Sequence, residues 1–575
     1  MADLEAEPAF RREYLNHKSL SRQLHDWADT HPELARLQSL GTTPEGREIW
    51  LLTIGPEPDR RRPAVWVNGN LHGTELAGSN VALAIAQAAL ALHLAPETLP
   101  GDWPAHQLDF LREVLFLVCP RVSPDGAERV IAQGGFVRSA PRHSPGSPER
   151  CRWYARDLDG DGRCRYLRRQ DPAGDFVAAP RHPGLMLPRR VDDPPPYWRL
   201  YPEGAIEHWD GETIPEPDWL QDTPDLNRQF PWHWRPEPDQ VGAGPAPGQE
   251  PEARALIDLA LARPNLFAWL DLHTFGGVFI RPLTDGPDAR MDQGDLALYR
   301  QLADWGRRCP GYPTVSSFEE FSYEPDTPLH GALIDFAYHQ RGCLAIVCEL
   351  WDLFRQARLP WPERFIDHYT ALDRRTMKRL ARWDAEQNQG RVFGDWSPLD
   401  HPQLGPVEVG GMDPVQGIWN PPPEHLPDLC DRMASYWLRV ASLLPRLVIE
   451  AVRISPLGTG CHLLEVTVAN HGYLPTHGVQ AARERPWNAG IEARASPLGC
   501  RLVEPARERQ RLGHLEGWGR GAGDMAQMPW FQRSRGNGHQ ARARWLIEGE
   551  GEVTVHVGSP RLGELTRTVE VQGGC

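Results

Sequence analysis

This chain of 575 residues has no excess of positive charge. Lysine and arginine together number 62, against 77 aspartates and glutamates, which gives a net charge of -15, and lysine itself occurs only at Lys18 and Lys378. A protein that follows the phosphates of a nucleic acid or of an anionic membrane needs clustered cations to neutralise them. The charge balance therefore argues against nucleic acid as a partner.

Long apolar runs and paired cysteine motifs are missing as well. We find no uncharged apolar run of about 18 residues, the length that a membrane span requires, and the 10 cysteines include no C-x-x-C pair. The opening residues, Met1 to Glu5, lack the basic and apolar regions of a secretory signal. We therefore expect no membrane span and a cytoplasmic location, where cysteines are free thiols.

The length and the pattern of apolar residues predict two domains, because a single core stops growing beyond roughly 250 to 300 residues. Up to residue 444, apolar strands alternate with helices, which is typical of a mostly parallel sheet flanked by helices. From residue 445 to residue 575, apolar and polar residues alternate as they do in antiparallel strands. We predict an α/β domain over 1–444 and an all-β, sandwich-like accessory domain over 445–575.

One stretch of the first domain breaks this pattern. Residues 132–222 lose periodicity and are rich in Pro, Arg, Asp and Gly, and such a stretch is too long for an ordinary connection. We predict a long irregular insertion on the rim of the α/β core.

Inside this insertion, Asp157, Asp159 and Asp161 match the D-x-D-x-D-G opening of a calcium loop. Arg168 stands at the twelfth position, where an EF-hand needs a bidentate glutamate, so a complete EF-hand is excluded. Two interpretations stay open: a partial Ca²⁺ site, or a turn held by hydrogen bonds of its own side chains.

Two histidines and one glutamate follow predicted strands. His72 and Glu75 form an H-x-x-E pair directly after the strand at 64–68, and His273 ends the strand that begins at residue 267. Ligands of open α/β sheets gather at the carboxyl ends of the strands, and two imidazoles with one carboxylate suit a Zn²⁺ ion that keeps its fourth position for water. Taken singly, a solvated loop pair and a core histidine are the ordinary alternatives.

Two further sets of polar residues could act on a substrate. Glu349 follows the apolar run 344–347, where a carboxylate is costly unless it is satisfied. Beside a metal-bound water it would act as a general base, and a structural ion pair is the alternative. Asn227 and Arg228 are adjacent, and a guanidinium beside an amide can clamp a carboxylate, although a surface arginine is the common case.

Together these segments resemble the zinc carboxypeptidases of the M14 family. The matching segments follow the family's order between about residues 10 and 385, and they are HGTE at 72–75, SPDG at 123–126, DLNRQF at 225–230, DLHTFGG at 271–277, GALIDFAY at 331–338 and CELWD at 348–352. The resemblance implies a metallocarboxypeptidase with one Zn²⁺ per chain and a peptide or amino-acid amide as its substrate.

The resemblance also implies a role for each matching residue. The zinc ligands would be His72, Glu75 and His273, with Glu349 as the general base and acid. Asn227 and Arg228 would hold the terminal carboxylate of the substrate, and Asp225 would hydrogen-bond a zinc histidine. For the arginine that polarises the scissile carbonyl we predict Arg168, with its neighbour Arg169 as the alternative.

The substrate pocket departs from the family pattern at one position. The family's capping tyrosine, counted back from Asp335, falls at Thr327, and the nearest tyrosine is Tyr323, so either the loop has shifted or the cap is absent. Ile334 lies where the family lines its specificity pocket, which favours an uncharged or hydrophobic side chain on the substrate.

Three functions follow from these observations. The leading hypothesis is hydrolysis, by an activated water, of a peptide or amide bond next to a free terminal carboxylate. The second is an amidase or deacylase that acts on a small N-acyl amino acid or a cell-wall peptide. The third is a non-catalytic binding protein with a vestigial zinc site, which the presence of Glu349 speaks against. The sequence does not identify a partner of the β domain.

Overall fold

The structure is a computed structural model of the chain. It describes residues 8–143, 149–216, 223–324, 327–458, 460–519 and 536–572. Two pieces of the predicted insertion, 144–148 and 217–222, lie outside the described residues.

The helices and strands are numbered in chain order. The α-helices of the described residues are α1 His17–Thr30, α2 Ala77–Leu94, α3 Ala105–Leu111, α4 Pro124–Gln133, α5 Pro251–Ala262, α6 Gln293–Arg308, α7 Ser317–Glu320, α8 Leu333–Asp335, α9 Leu353–Gln356, α10 Asp367–Thr370, α11 Arg374–Gln387 and α12 Leu426–Ala441. The strands up to residue 412 are β1 Ala35–Thr42, β2 Glu48–Ile54, β3 Ala64–Gly69, β4 Leu115–Cys119, β5 Arg152–Ala155, β6 Tyr166–Gln170, β7 Phe176–Ala179, β8 His182–Pro188, β9 Trp198–Pro202, β10 Gly204–Glu207, β11 Leu266–Thr274, β12 Val278–Arg281, β13 Thr314–Ser316, β14 Leu344–Leu350, β15 Phe393–His401 and β16 Gly405–Met412. The later strands are β17 Leu447–Gly458, β18 Cys461–Asn470, β19 Ile491–Leu498, β20 Arg501–Leu502, β21 Arg509–Gly513, β22 Gln540–Glu548, β23 Gly551–Ser559 and β24 Gly563–Val571.

An eight-stranded sheet forms the centre of the first domain, in the order β1-β2-β4-β3-β11-β14-β12-β13. The four central strands, β4, β3, β11 and β14, run parallel to one another. The β1–β2, β2–β4 and β12–β14 pairs are antiparallel. β3, β4 and β11 are buried along their whole length, because helices cover both faces of such a sheet. The prediction of a mixed, mostly parallel sheet flanked by helices is confirmed.

Helix α2 is apolar on nearly all sides and packs against the central strands. It is the helix among the described residues that is long and apolar enough to cross a membrane by length and composition, with a mean hydropathy of 1.4. Within the molecule 83% of this stretch is buried. The expectation that the chain has no such apolar run therefore overlooked α2, whose Ala and Leu residues pack in the protein core.

The prediction of an irregular insertion is wrong, because the segment contains strands β5 to β10. Four of these strands join β15 and β16 in a six-stranded antiparallel sheet of order β15-β16-β6-β9-β7-β8, while β5 pairs with β10. The strands at the two ends of this order approach each other, since a Cβ added to Gly184 of β8 would lie 2.9 Å from the carbonyl oxygen of Phe393 in β15. We call this element the curled sheet.

Residues after 446 form two four-stranded antiparallel sheets of order β17-β18-β22-β20 and β21-β19-β23-β24. Every second residue of β18, β19 and β23 is buried, and these buried residues share one apolar core, as in a β-sandwich. The all-β character of this part of the chain is confirmed, whereas the domain boundary near residue 445 stays a prediction.

Arg561 of the β-sandwich is buried and bonds directly to the first domain. Its guanidinium donates hydrogen bonds to the carbonyl oxygens of Leu266 at 2.7 Å, Gly342 at 2.6 Å and His477 at 2.6 Å. Leu266 begins β11, and Gly342 lies just before β14. The sandwich therefore holds the amino-terminal ends of the two strands whose other ends carry His273 and Glu349.

Candidate metal centre and active site

The structure brings His72, Glu75 and His273 together in the protein interior. The Nδ1 atoms of the two histidines lie 3.0 Å apart, and each is 2.9 Å from a different carboxylate oxygen of Glu75. All three side chains are buried, and their ligand atoms lie within 4.8 Å of one another. His72 and Glu75 belong to the turn that follows β3, and His273 lies near the end of β11, so the parallel arrangement of neighbouring strands brings them to one edge of the sheet.

A second carboxylate faces the outer nitrogen of each histidine. His72 Nε2 lies 3.3 Å from Asp225 Oδ1, and His273 Nε2 lies 2.8 Å from Asp271 Oδ2. Each Nε2–H can donate to its aspartate, which leaves the lone pair of Nδ1 directed at Glu75. Three buried acceptors then converge on one point, and this donor set fits a zinc ion.

The electrostatics of the cluster also favour positive charge. Burial on its own lowers the pKa of His273, but the carboxylates of Asp271 and Glu75 outweigh it and raise the pKa well above its usual range. Burial raises the pKa of Glu75, yet the charges of His72 and His273 hold it at about 2. Glu75 is therefore ionised and available as a ligand at neutral pH.

Glu349 lies beside this cluster on the adjacent strand. In the parallel β11–β14 ladder it is in register with His273, so both side chains point to the same face of the sheet. Burial and the neighbouring Glu75 charge raise its pKa to about 8, although the charge of His273 opposes them. Gly276 permits this close packing, because a Cβ there would lie 3.1 Å from Glu349 Cβ and 2.5 Å from the Tyr369 hydroxyl.

Asn227 and Arg228 line the same cavity as the metal ligands. Asn227 Oδ1 accepts a hydrogen bond from the Leu333 amide at 2.8 Å, and Arg228 Nη1 donates to the carbonyl of Asn227 at 2.8 Å. Within the described ranges, no carboxylate lies at ion-pair distance from Arg228. Its guanidinium can therefore receive the carboxylate of a bound molecule.

The other predicted pocket residues also line this cavity, whose volume is about 590 Å³. Ile334 is buried in its wall and Tyr323, with 54% of its surface exposed, lies at its opening. Thr327 is not among the residues that line the cavity.

The structure contradicts the assignment of Arg168. Its guanidinium pairs with Glu408 across the β6–β16 ladder and lies between the rings of Trp198 and Trp396, at 4.2 and 4.5 Å from their centroids. It does not line the cavity that holds the metal ligands, and Arg169 is exposed. The physical reason is that Arg168 is held within the curled sheet by Glu408 of the neighbouring strand β16 and by the two tryptophan rings that enclose its guanidinium.

A different arginine, Arg138, lies beside the metal ligands. It lines the cavity, and its Nε and Nη2 donate to Asp225 Oδ2 at 3.0 and 2.9 Å. Its backbone carbonyl accepts a hydrogen bond from Gly73, which fixes it against the turn that carries His72 and Glu75. Arg138 lies in no motif of its own, and its position soon after the SPDG helix is the one signal that could have identified it.

The structure gives no support for calcium in the D-x-D-x-D-G loop. Asp157 accepts hydrogen bonds from the amides of Gly160 and Gly162, and Asp161 pairs with Arg165 at 2.7 Å. Oxygens of Asp157 and Asp159 come close to Glu203, but Glu203 accepts from the amides of Leu158 and Arg165. The loop is therefore a turn stabilised by its own side chains.

Buried metal donors and a carboxylate at the carboxyl ends of the strands of an α/β sheet are the arrangement of a metal-dependent enzyme site. Comparison with known families gives the identity of this class. The family model described as zinc carboxypeptidase (Peptidase_M14) matches residues 20–373, and the chain belongs to this family. A second model, described as a domain of unknown function, matches residues 446–570.

Curated relatives match a limited part of the chain. A zinc carboxypeptidase of Saccharothrix mutabilis subsp. capreolus is 29% identical over 136 residues, which cover 23% of this chain and 30% of that protein. Carboxypeptidase Z of Homo sapiens is 29% identical over 131 residues, or 22% of this chain and 19% of that protein. The match therefore spans less than a third of the length of either relative. Among solved structures, carboxypeptidase A from Helicoverpa armigera has a TM-score of 0.39 and 15% identity over 68% of this chain and 78% of that chain.

Proposed function

We propose that the protein is a zinc-dependent carboxypeptidase that hydrolyses the peptide or amide bond next to a free terminal carboxylate. The observation that supports this most directly is the register of Glu349 with His273, which puts a carboxylate with a raised pKa beside three converging metal donors. A zinc ion held by such a set activates a water molecule and polarises a carbonyl group.

The other steps of the reaction depend on side chains of the protein. Glu349 takes a proton from the attacking water and delivers it to the leaving amine. Asp225 and Asp271 keep the two histidines oriented with Nδ1 inward. Arg138 faces the cavity beside the cluster, where its guanidinium stabilises the negative charge that develops on the carbonyl oxygen.

The substrate is oriented by its terminal residue. Arg228 and Asn227 bind the free carboxylate, and Ile334 contacts the terminal side chain, together with the neighbouring cavity residues Thr284, Leu329 and Ala332. Because this part of the wall is largely apolar, we propose that an uncharged or hydrophobic terminal residue is preferred.

The test of this function is a pair of substrates that differ at one group, a peptide that ends in leucine with a free carboxylate and the same peptide as its amide. We expect hydrolysis of the free acid by the zinc-loaded protein. Arg228→Ala should raise KM for the acid about tenfold to a hundredfold, since a hydrogen bond between charged groups is lost. Arg300→Ala, at an exposed position of α6 outside the cavity lining, is the matched control. Equal cleavage of acid and amide would contradict the carboxylate clamp.

A second prediction separates the two arginine assignments. Arg138→Met should lower kcat by about 10²- to 10³-fold with little change in KM, because a charge that stabilises the transition state is lost. Arg169→Met, at an exposed position of β6, should leave both constants unchanged. Metal analysis of both variants checks that zinc is retained. An unaltered kcat for Arg138→Met would show that Arg138 does not stabilise the oxyanion.

A further inference from the structure

An aromatic cluster lines the cavity that holds the metal ligands. Phe275 lies two residues after His273, and its ring packs edge-on against Tyr369 and Trp419, with centroid distances of 5.3 and 5.4 Å. These three rings line the same cavity as His72 and Glu349. These rings offer an apolar surface to the part of a bound molecule that lies beyond its carboxylate and its reacting bond.

Beyond the rings, the curled sheet forms the wall. Each of its six strands contributes a side chain to the cavity lining, and these are Tyr166, Phe176, Met186, Leu200, Trp396 and Met412. Leu372, Met377 and Leu380, which lie just before and within α11, also line the cavity. We call the space between these residues the apolar chamber.

A pair of opposite charges lies next to the chamber wall without lining the cavity. Arg168 touches Met186 Sδ at 3.4 Å, and its charge is matched by Glu408. Its guanidinium is also covered by the rings of Trp198 and Trp396. An anionic group in the chamber would gain little from Arg168, because this guanidinium does not line the cavity and already pairs with Glu408.

The cavity is larger than the space that one terminal residue of a substrate fills. Its volume is about 590 Å³, which lies in the range of roughly 300 to 1,000 Å³ that proteins use for drug-sized ligands. The terminal residue takes the part beside Ile334. The apolar chamber is left for the group on the acyl side of the reacting bond.

A peptide is a poor occupant of this chamber. Each residue of a peptide brings an N–H and a C=O group that need partners when they are buried. Two polar groups of the wall are already used within the chain, since Trp396 Nε1 donates to the carbonyl of Pro183 and the Tyr369 hydroxyl donates to the carbonyl of Phe275. A hydrocarbon chain needs no such partners.

We propose that the preferred substrate is an N-acyl amino acid with a long unbranched acyl chain, which the apolar chamber binds while Arg228 and Asn227 hold the amino-acid carboxylate. The inference rests on the proposed function and names its substrate class. Hydrolysis breaks the amide C–N bond, adds the hydroxyl of water to the acyl carbon and the remaining proton of that water to the amine nitrogen, and releases a fatty acid and a free amino acid.

The experiment compares two substrate series with the zinc-loaded protein. The first is acetyl-, octanoyl- and dodecanoyl-leucine, and the second is leucine preceded by acetylated triglycine or triphenylalanine. We expect kcat/KM to rise about tenfold or more from acetyl to octanoyl, because buried methylenes favour binding. We expect a smaller rise in the peptide series. Isothermal titration of dodecanoic acid should show binding with a negative heat-capacity change.

Two variants test whether the acyl chain binds in the apolar chamber. Leu372 is 42% exposed, so a glutamate at this position should not prevent folding. Leu372→Glu should lower the ratio of kcat/KM for dodecanoyl-leucine to kcat/KM for acetyl-leucine. Leu261→Glu, at a position on α5 that is 58% exposed and outside the cavity lining, is the matched control and should leave the ratio unchanged. Leu200→Trp, on β9, should move the preference toward shorter acyl chains by filling part of the chamber.

The possible results separate the two proposals. Hydrolysis with a flat acyl series, or a larger rise in the peptide series, would overturn the acyl-chain inference while leaving the carboxypeptidase proposal in place. Failure to cleave any substrate of either series would overturn both. A rise with acyl chain length that Leu372→Glu weakens and Leu261→Glu does not would support the inference.

Discussion

Replacement of Glu349 by glutamine should lower kcat by about 10²- to 10⁴-fold, the range that a general acid–base group contributes. The carboxylate is in register with His273, and its pKa of about 8 without a metal shows that its surroundings favour a bound proton. Glutamine has nearly the same shape but can neither take a proton from water nor return it to the amine. The measurement is the steady-state rate on a leucine-terminated substrate.

Zinc analysis of the same preparation makes this test specific. Glu349→Gln should retain the metal, because Glu349 is not one of the three converging ligands, whereas His273→Ala should lose most of it. Glu363→Gln, an exposed glutamate nearby in the sequence, is the matched control and should keep full activity. Hydrolysis by Glu349→Gln at the rate of the unsubstituted protein would disprove the assignment of the base.

Replacement of Arg561 by methionine should reduce the free energy of unfolding by about 3 to 5 kcal/mol. The change removes three hydrogen bonds to buried carbonyl groups, those of Leu266, Gly342 and His477. The carbonyl of Gly342 would lose the guanidinium donor, while that of His477 keeps the Asn488 side chain and that of Leu266 keeps only the weak Cys343 thiol. A buried acceptor that loses its donor costs about 1 to 3 kcal/mol. Urea unfolding followed by tryptophan fluorescence measures the change.

Arg511→Met is the control for this substitution, because Arg511 is exposed on β21. Its midpoint of unfolding should match that of the unsubstituted protein. If Arg561→Met unfolded at that same midpoint, the guanidinium would not hold the two domains together. We also expect weaker zinc retention in Arg561→Met during partial unfolding, since Arg561 bonds to the first residue of the strand that carries His273.

The metal centre could be predicted from the sequence because its residues are tied to local patterns. His72 and Glu75 follow one apolar strand, and His273 and Glu349 lie near the ends of two others. Apolar strands buried on both faces are recognisable in a single sequence, and in a parallel sheet their carboxyl ends meet at one edge. In the structure these four residues lie together, as the pattern of the strands predicts.

Arg138 and the curled sheet could not be predicted, for a different reason. Arg138 takes its position from hydrogen bonds to Asp225, 87 residues later in the chain. The strands of the insertion are only four to seven residues long, which is too short for a clear period, and the partner of β6 lies on β16, more than 200 residues away. Arg168 was chosen from its place in the sequence, whereas pairing at that distance decides where it lies.

The curled sheet shares no strand with the sheet that carries the metal ligands. Bond-breaking chemistry and the choice of acyl group would then reside on separate pieces of polypeptide that meet at Phe275 and its aromatic neighbours. Mutations could remodel the hydrocarbon-binding wall over generations without touching the hydrolytic machinery. Laboratory evolution of new substrate ranges should therefore begin at strands β6 to β9, β15 and β16.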